Sequence, residues 1–589
     1  MSITILFKNI YKNYLSQLIL FSLILIFVGI IETVGLVFIA PILDNILGND
    51  LSSSSFLTKK IIIIFEYFNL EVKLEILFLI FILSTIFTAL FSTLSTYYSE
   101  KIKYSYGHDL LSDTLKNLFS LKWAFFTKVK QGSLLNILNR ELTAIISTLS
   151  IIARMIANAV QFLIIAILPF LISLELVLIM ILTLLIVYSP VLLLSQKARQ
   201  VGDQDTLAHK NFLTVLQENF SGLKFILGNS LQSIAKIEIL KKYITLIKIA
   251  IIRSVLFIGI SNVVLPLTAI GFTILYYVSF EVLDTQISEL AVAVVAFVRM
   301  TSKLGQIIRE KASLEASLAS LKELNLINNI NKKLIIKNGS KNLKTFKSKI
   351  EFINVNYSYE NKNLVLNKCN LNIAKGKITG ITGESGGGKS TIIDLIMGFD
   401  FPNKGKIKID DIEIENLNLN DYRKKIGYVS QDAVLFNTTI LKNILWTNFD
   451  AKKYDVEKLI SKSKAFNFIK KLPNGLSTLV GDRGVSLSGG QIQRIALLRA
   501  LIKNPEIVIL DEGTSALDEK NEKYIMDFLF NFKKIKTIII VAHRLFTLKK
   551  VDMLYILKSG KIIEKGSYAN LKNNKRSDFN KMLNAQKNN

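Results

Sequence analysis

Six apolar stretches in the first half of the chain are each long enough to cross a lipid bilayer. They lie near residues 16–42, 74–97, 148–172, 177–197, 255–280 and 288–308. About 20 apolar residues in a helix span the hydrocarbon core of a membrane. The sequence therefore predicts an α-helical transmembrane domain over residues 1–311, with six spans and long cytoplasmic extensions.

Basic residues set the predicted orientation of these spans. Lysine and arginine are retained on the cytoplasmic side of membranes. The loop between the fifth and sixth spans carries Asp284 and neither Lys nor Arg. Basic residues precede the first span and follow the second and the fourth: Lys8, Lys12, Lys101, Lys103, Lys116, Lys122, Lys128, Lys130, Arg140, Lys197, Arg199, Lys210, Lys224, Lys236, Lys241, Lys242 and Lys248. These segments, and the second half of the chain with them, are predicted to be cytoplasmic.

The charge balance agrees with a membrane protein. The formal net charge of +27, from 73 Lys and Arg against 46 Asp and Glu, follows from the cationic flanks of the spans and from lysines scattered over the second half. Six spans conflict with a soluble ATPase that acts on nucleic acid, so the expected partners include membrane lipids and no nucleic acid. The one cysteine, Cys369, excludes a disulfide within the chain.

The two inner loops, roughly 98–147 and 198–254, are too long for simple turns. They carry apolar residues at helical spacing, such as Leu111, Leu115 and Leu118. We expect helices that continue from the membrane, each pair joined by a short crosswise segment. The candidates for these segments are near Ser112–Ser120 and Ser221–Ser230.

A glycine-rich loop in the second half matches the pattern G-x-x-x-x-G-K-[ST], whose backbone N–H groups and lysine hold nucleotide phosphates. A strand-like run, Lys377–Thr382, leads into the loop, and a helix is predicted to begin at its lysine. This strand–loop–helix order is the context that the motif requires. The candidate phosphate-binding residues are Gly383, Glu384, Ser385, Gly386, Gly387, Gly388, Lys389, Ser390 and Thr391.

Two further apolar runs end in residues that suit phosphate chemistry. The run Ile507–Leu510 is followed by Asp511 and Glu512, and the run 538–542 is followed by His543. Carboxylates beside a phosphate loop lie where Mg²⁺ and the attacking water are held. We expect Asp511 to orient the water shell of the metal, Glu512 to polarise the nucleophilic water and His543 to sense the γ-phosphate.

A second anion-binding element follows the loop by about a hundred residues. Ser488, Gly489 and Gly490 come directly before a helix-like stretch, Gln491–Leu501. Backbone amides at such a helix start can hold another anion. Two phosphate sites in one domain make sense if ATP is bound between two copies of that domain.

These motifs together resemble the nucleotide-binding domain of ABC exporters over residues 350–575. With the six spans, the resemblance covers essentially the whole chain. It implies an α/β P-loop ATP-binding domain over residues 349–589, a linker at 312–348, and ATP and Mg²⁺ as cofactors. The implied activity is ATP hydrolysis coupled to transport.

The resemblance also assigns roles to single residues. It implies that Tyr359 stacks on adenine, with Tyr357 as the nearby alternative, and that Gln431 reaches Mg²⁺ and senses the membrane domain. The resemblance places Ser390 and Asp511 in the same expected metal site. The segment 478–484 resembles the exporter loop that touches the cytoplasmic arms. Ser515, Ala516, Leu517 and Asp518 resemble the loop that crosses the dimer interface.

One chain supplies one phosphate loop and one Ser488–Gly490 element, which face opposite partners in such dimers. Two chains are therefore needed to close two ATP sites. No motif is degenerate, which favours a homodimer and leaves a heterodimer open.

The cargo is indicated less directly. Ionisable residues within a membrane are costly and point to function. Glu32, Arg299 and Lys303 fall within predicted spans, and a basic cavity lining suits an anionic, phosphorylated lipid. Arg154 and Arg253 lie near span ends, where they can also extend towards lipid headgroups.

A second, weaker resemblance also concerns the cargo. The segment Ile31–Leu36 with Pro41, the segment Lys210–Phe212 and the pair Phe225-Ile226 resemble flippases of lipid-linked oligosaccharides in bacteria. This implies a multi-pass flippase in a bacterial inner membrane. A multidrug or peptide exporter stays open as the alternative, since it would share every ATPase motif. An ATP-gated channel or regulator is a further hypothesis.

Overall fold

The computed structural model describes residues 3–48, 54–127, 129–262, 264–281, 286–328, 335–359, 364–513, 517–531 and 537–588. Two compact units divide the chain. Met1–Phe119 and Thr127–Lys332 form one, here called the helical unit. Lys333–Asn589 form the other, the α/β unit, together with the short segment Ser120–Phe126.

The helical unit contains long helices and short connecting ones. Their bounds are α1 Ile3–Val37, α2 Ile39–Ile46, α3 Phe56–Tyr67, α4 Leu74–Phe119, α6 Gln131–Asn136, α7 Leu142–Ile165, α8 Ile167–Ile172, α9 Leu174–Gln196, α10 Ala198–Ser221, α11 Leu223–Gly228, α12 Gln232–Asn262, α13 Val264–Glu281 and α14 Ile287–Asn328. A π-helical turn, Ile137–Glu141, joins α6 to α7. The helix α5, Trp123–Phe126, belongs to the α/β unit.

Helical stretches of membrane-crossing length match four of the six predicted spans. In the described part of the chain they are Asn13–Ile46, Leu74–Phe119, Gly132–Ile172 and Ile287–Ser320. The fourth predicted span falls in α9 and the fifth in α12 and α13. The apolar parts described there, Leu174–Leu185 and Thr268–Val278, are shorter.

The first crosswise segment lies further along the chain than expected. Helix α4 runs unbroken to Phe119, because Leu110, Thr114 and Leu118 are buried at four-residue spacing and keep one face of the helix packed. The expectation at Ser112–Ser120 is therefore wrong, and the short helix is α5. The second segment was expected at Ser221–Ser230, where the structure has α11.

The segment 312–348, expected as a linker, is helical up to Asn328 and contributes core residues further on. Helix α14 continues to Asn328, and Ala312 and Ala319 are buried along it. Further on, Leu343 and Phe346 pack into a core cluster of the α/β unit. Helix and core packing therefore extend into both ends of this segment.

The strands of the α/β unit form two sheets. Their bounds are β1 Lys349–Tyr357, β2 Leu366–Ala374, β3 Ile378–Gly383, β4 Lys404–Ile409, β5 Ile412–Glu413, β6 Ile426–Val429, β7 Ile507–Asp511, β8 Thr537–Val541, β9 Met553–Lys558 and β10 Lys561–Gly566. One sheet is antiparallel, in the order β2-β1-β4-β5. The other has the order β10-β9-β3-β8-β7-β6 and is parallel from β9 to β6.

Helices accompany the two sheets, as expected of an α/β domain. Their bounds are α15 Lys389–Ile396, α16 Leu419–Lys424, α17 Ile440–Leu445, α18 Lys453–Ile460, α19 Phe468–Lys471, α20 Gly489–Leu501, α21 Glu519–Asn531, α22 Tyr568–Asn573 and α23 Asp578–Asn588. The strands β7 and β8 are buried along their whole length. Continuous apolar runs are typical of strands covered on both faces, which explains why both were recognisable from the sequence.

Candidate functional site

The phosphate loop connects β3 to α15, as the motif predicts. Gly383 has φ +152° and Gly388 has φ +101°. A Cβ atom on Gly383 would lie 1.9 Å from the carbonyl oxygen of Leu557, and one on Gly388 would lie 2.9 Å from Leu366 Cδ2. Both positions therefore require glycine, for conformation and for space.

Lys389 lies folded over this loop. Its side chain is buried, and its Nζ donates hydrogen bonds to the carbonyl oxygens of Gly383 at 3.0 Å and Glu384 at 2.8 Å. Burial lowers the pKa of Lys389, while the carboxylates of Glu512 and Asp511 act in the opposite direction. The lysine is thus held at the loop with its charge next to two acids.

The remaining loop residues differ in exposure. Glu384, Ser385, Gly386 and Ser390 are exposed, whereas Gly387 and Thr391 are buried. The carboxylate of Glu384 lies 3.7 Å from Lys558 Nζ. Part of the loop is therefore accessible to a ligand, while the rest packs within the domain.

Asp511 ends β7 in a buried position. Its Oδ1 has no hydrogen-bond partner within the described part of the chain. Burial, with a further contribution from the neighbouring Glu512, raises the pKa of Asp511 to about 6. A buried, unpaired carboxylate oxygen is costly unless a cation or a water satisfies it.

Glu512 and His543 form a close pair. Nε2 of His543 lies 2.8 Å from Oε1 of Glu512. Glu512 has φ +49°, in the left-handed region that few non-glycine residues adopt. Its backbone N–H donates to the carbonyl of Val541, the last residue of β8. Such strained backbone is concentrated at functional sites.

The sheet explains why these residues meet. Strands β3, β8 and β7 are parallel neighbours, with Ile381 opposite Val541 and Asp511 opposite the same residue. Their carboxyl ends therefore bring the phosphate loop, His543 and the Asp511–Glu512 pair to one edge. Ligands bind at this edge in open α/β sheets.

The structure separates the two candidate adenine-stacking tyrosines. Tyr357 is buried in β1, and its hydroxyl donates to Asp400 at 2.8 Å. Tyr359 is partly exposed, and its hydroxyl lies 3.2 Å from the hydroxyl of Thr391 on α15. The two rings contact edge to face, with centroids 5.0 Å apart. Tyr359 is thus the one available to a ligand.

The second anion-binding element caps α20. Ser488 Oγ accepts from the backbone N–H of Gln491 at 3.3 Å, and the side chain of Gln491 accepts from the Ser488 N–H at 2.9 Å. Ser488 and Gly489 are exposed, and Gly490 is half-buried. This reciprocal capping box leaves the helix start open to solvent.

The two remaining predicted site residues lie in loops. Gln431 is exposed two residues after β6. Asp518 accepts from the backbone N–H of Asn521 at 2.8 Å and so caps the start of α21. Ser515 and Ala516, before Asp518, lie outside the described residues.

Three residues of the expected Mg²⁺ site offer oxygen ligands. Oxygen atoms of hydroxyl, amide and carboxylate groups are the ligands that Mg²⁺ prefers. Ser390 is exposed at the start of α15, Gln431 is exposed after β6, and Asp511 offers an unpaired oxygen between them in the sheet. These groups fit a Mg²⁺ site completed by phosphate oxygens and water.

The helical unit pairs the intramembrane charges that the sequence singled out. Arg299 Nη1 lies 3.6 Å from Glu32 Oε1, and Lys303 Nζ lies 3.9 Å from Glu32 Oε2. Lys303 also donates to Gln161. The Arg299 side chain stays 54% exposed, against 9% for Glu32. Two cations thus share one buried carboxylate.

The other two arginines are also paired. Arg154 donates to both carboxylate oxygens of Glu310, at 2.7 and 3.1 Å. Arg253 donates to Asp205 at 2.7 Å, and Arg140 donates to the same carboxylate. The structure therefore places both in ion pairs within the protein.

A contact that the sequence did not predict links α5 to the segment that follows the phosphate-loop helix. Lys122 Nζ lies 2.7 Å from Asp400 Oδ1, in a pair whose side chains are mostly buried. The backbone N–H of Trp123 donates to the carbonyl of Phe399. Phe399 and Asp400 lie three and four residues after the last residue of α15, so α5 packs on the segment that follows this helix.

Family models match both halves of the chain. Residues 18–301 match the model described as the ABC transporter transmembrane region. Residues 366–515 match the model described as ABC transporter. The second match begins at β2 and includes the phosphate loop, the start of α20 and Glu512.

Similar proteins point to the same family as these two models. The chain is 30% identical over 493 residues to the heterocyst differentiation ATP-binding protein HepA of Nostoc sp. (strain PCC 7120 / SAG 25.82 / UTEX 2576), covering 84% of this chain and 81% of that protein. It is 43% identical over 244 residues to ABC transporter B family member 4 of Dictyostelium discoideum, covering 41% of this chain and 32% of that one.

The fold has a solved counterpart. A bacterial Atm1-family ABC exporter with ATP bound superposes with a TM-score of 0.82 at 22% identity, covering 98% of this chain and 99% of that chain. These matches define an ATP-driven membrane transporter. The chain belongs to the ABC transporter family. With its membrane region and its ATP-binding region in one polypeptide, it has the architecture of an exporter half-transporter that hydrolyses ATP.

Proposed function

We propose that the protein moves a lipid-linked or otherwise amphipathic, anionic substrate out of the cytoplasmic leaflet of a bacterial inner membrane. Two copies of the chain form the transporter, and ATP hydrolysis drives it. One observation carries the choice of substrate. It is a cavity among α1, α4, α7 and α14 whose lining combines polar and apolar side chains.

The cavity is lined by both apolar and polar side chains. Apolar residues contribute one part, and hydroxyl, amide and charged groups contribute the rest. The lining residues are Phe21, Leu25, Ser92, Ser95, Thr96, Ser99, Glu100, Ala153, Arg154, Ala157, Asn158, Gln161, Lys303 and Gln306. A substrate with a polar headgroup and an apolar chain satisfies both parts at once.

The position of the lining residues supports entry from the inner leaflet. The predicted orientation places the cytoplasmic end of the second span near residue 97 and that of the sixth near residue 308. Ser92–Ser99 and Lys303–Gln306 therefore lie at that end of their spans. A lipid headgroup in the cytoplasmic leaflet lies at the same depth.

The charges support an anionic headgroup. Near the cavity, Arg299 and Lys303 face the single carboxylate of Glu32, so this group keeps one positive charge in excess. The nearby Arg154 is neutralised by Glu310. An uncompensated charge within a membrane is costly, and a phosphate or diphosphate group would balance it.

The cavity of a single copy is small. Its volume is about 200 Å³, below the roughly 300–1,000 Å³ of typical ligand pockets. A second copy that faces the first would enlarge it. The substrate path is therefore proposed to lie between two chains.

The ATP site is proposed to work through the residues at the sheet edge. The phosphate loop and Lys389 bind the phosphates, Tyr359 stacks on adenine, and Glu512 polarises the attacking water. His543 holds the Glu512 carboxylate and contacts the γ-phosphate. Ser390, Gln431 and Asp511 would hold Mg²⁺, which would supply positive charge to neutralise the phosphates.

The second copy completes each site. The start of α20 is proposed to hold the γ-phosphate bound by the partner, with Asp518 at the interface. Its residues are Ser488, Gly489, Gly490 and Gln491. ATP binding then closes the dimer. Gln431 and the segment 478–484 pass the motion to the cytoplasmic arms, so that the cavity opens to the other side.

Substrate-stimulated ATPase activity tests this proposal. The full chain is reconstituted in nanodiscs with a polyprenyl-diphosphate-linked sugar, with the same polyprenol lacking the diphosphate, or with hydrophobic cations. We expect stimulation by the first probe and little by the second. Stimulation by the cations alone would favour a multidrug exporter and would overturn the proposal of an anionic lipid substrate.

A peptide exporter and an ATP-gated channel are separated by other measurements. In proteoliposomes, outward movement of the linked sugar is followed by its accessibility to a lectin, with Glu512→Gln as the inactive control. ATP-dependent conductance in planar bilayers without movement of the lipid would favour a channel. Uptake of peptides in place of the lipid would favour peptide export.

A further inference from the structure

Helix α23 ends beside the segment that carries His543. The side chain of Gln586 bonds this segment at two points. Its Oε1 accepts from the backbone N–H of Leu545 at 3.0 Å, and its Nε2 donates to the carbonyl oxygen of His543. One amide thus holds the backbone on both sides of Arg544. These two bonds require a side chain that has both a donor and an acceptor group, and the amide of Gln586 has both.

The clamped segment points two side chains in different directions. The imidazole of His543 lies against Glu512, 2.8 Å away. The guanidinium of Arg544 donates to the carbonyl oxygen of Leu517 at 3.0 Å, next to Asp518. The backbone between the strand β8 and the turn Leu545–Leu548 therefore determines how both side chains are aimed.

His543 depends on its backbone for its position. Its side chain is 45% exposed, so core packing does not fix the ring. By contrast, Leu545 is fully buried in the main core cluster. The clamp therefore connects the exposed histidine to an anchored position two residues later.

Helix α23 is itself well anchored. Phe579 and Leu583 are buried in the same core cluster as Leu545. Together with Gln586 they follow the spacing i, i+4, i+7, which places all three on one face of a helix. Glu564 on β10 accepts from the backbone N–H groups of Asp578 and Phe579 at the start of the helix. Gln586 thus extends from a fixed support.

We propose that Gln586 is a positioning residue for ATP hydrolysis: it holds the backbone of His543 so that the imidazole stays on Glu512. This inference rests on the proposed role of His543 at the γ-phosphate. Displacement of a catalytic group by about 1 Å can cost on the order of a hundredfold in rate. A loosened His543 samples the productive geometry only part of the time, so the loss is smaller.

The test replaces Gln586 in the full-length transporter and separates kcat from KM. Gln586→Leu keeps the volume and removes both hydrogen bonds. We expect kcat for ATP to fall about tenfold while KM changes by less than about twofold, because the phosphate loop and Tyr359 are untouched. Gln586→Glu keeps the acceptor for Leu545 and loses the donor to His543, so an intermediate kcat is expected.

Asn584→Ala is the matched control. Asn584 lies two residues away on the same exposed helix end, and its Nδ2 donates to Asn580 Oδ1 within α23. The kcat of this variant is expected to stay at the wild-type value. An equal loss in Asn584→Ala and Gln586→Leu would mean that any weakening of α23 slows the enzyme, which would overturn the assignment.

A double-mutant cycle distinguishes positioning from general stability. If Gln586 acts through His543, then Gln586→Leu causes no further loss in a His543→Ala background under single-turnover conditions. Losses that multiply would overturn the proposal, as would a wild-type kcat in Gln586→Leu. If Gln586→Leu does not fold, the cycle is run with Gln586→Glu. A wild-type kcat in His543→Ala alone would instead remove the role proposed for His543.

Discussion

The imidazole Nε2 of His543 lies 2.8 Å from the carboxylate Oε1 of Glu512, although the two residues follow different strands. The parallel pairing of β7 with β8 brings both to the same edge, and the Glu512 N–H donates to Val541 in β8. The left-handed backbone of Glu512 then turns its side chain towards the histidine. A single local geometry therefore sets the position of the proposed catalytic base.

The first prediction concerns the charge of that base. Glu512→Gln keeps the shape of the side chain and its contact with His543 but removes the carboxylate that polarises water. We expect ATP to bind normally and hydrolysis to fall by about a hundredfold or more, in line with the loss of general-base catalysis. Steady-state ATPase activity and nucleotide binding by the purified dimer measure the two effects. Wild-type turnover in this variant would exclude Glu512 from the role.

The second prediction compares two glycines of the phosphate loop. A Cβ atom on Gly383 would meet the Leu557 carbonyl at 1.9 Å, whereas one on Gly386, at φ +75°, would have nothing within 4 Å. We expect Gly383→Ala to destabilise the fold by about 3 kcal/mol or more and Gly386→Ala by about 1 kcal/mol, the cost of backbone strain alone. Chemical denaturation followed by tryptophan fluorescence measures the difference. Equal losses would contradict the steric argument.

Much of this site follows from the rule that parallel strands share one edge. The runs before Asp511 and before His543 were recognisable because they are continuously apolar. The strand that ends at Gly383 was recognisable because it leads directly into the glycine-rich motif. The sequence therefore predicted which residues meet. It did not predict the Glu512–His543 contact distance, since that depends on the backbone turn at Glu512.

Other contacts had no signal in the sequence. Gln586 is an exposed polar residue near the end of the last helix, and its partners are separated from it by about forty residues. The first crosswise segment was misplaced because the helical spacing of α4 continues to Leu118 and gives no sign of where the helix ends. Glu32 and Arg299 were each notable as charges, but only packing shows that they are partners.

The third prediction separates the two tyrosines. Loss of stacking on a base costs about 1–3 kcal/mol, so Tyr359→Ala is expected to raise the KM for ATP about tenfold without unfolding the domain. Tyr359→Trp is expected to retain the wild-type KM. Tyr357→Ala instead removes a ring that is 3% exposed and is expected to cost about 3–5 kcal/mol of stability. A KM effect confined to Tyr357 variants would reverse the assignment.

The fourth prediction concerns the link between α5 and the segment that follows the phosphate-loop helix. The Lys122–Asp400 pair is mostly buried and also meets the hydroxyl of Tyr357 through Asp400. Lys122→Met is expected to keep basal ATPase activity within about twofold and to lose most of its stimulation by substrate, because α5 no longer bonds the segment that follows the phosphate-loop helix. The exposed Lys101, on α4, gives the control Lys101→Met.

A double variant identifies the partner in this link. If Lys122 acts through Asp400, then Lys122→Met adds no further loss of stimulation to Asp400→Asn. Independent losses in the two variants would mean that the ion pair is not the link. The measurement is the ratio of ATPase rates with and without the substrate probe in nanodiscs.

The fifth prediction tests whether charge in the cavity selects an anionic substrate. Arg299→Ala removes the exposed cation and is expected to reduce apparent affinity for a diphosphate-linked lipid by about fivefold to tenfold, with basal ATPase activity within about twofold. Glu32→Gln removes the carboxylate that Arg299 and Lys303 share. It is expected to act in the opposite direction, because the remaining cations then attract the substrate more strongly. An electrostatic role requires the two variants to change substrate affinity in opposite directions, which a packing role alone does not predict.

The matched control for this pair is Lys311→Ala, since Lys311 is an exposed cation further along the same helix α14. We expect its substrate affinity to equal that of the wild type. Affinity is read from the substrate concentration that half-maximally stimulates the ATPase in nanodiscs. If Arg299→Ala and Glu32→Gln both weaken affinity, the two residues support the packing of α1 and α14 and do not select charge. An unchanged affinity in both variants would place the substrate elsewhere in the transporter.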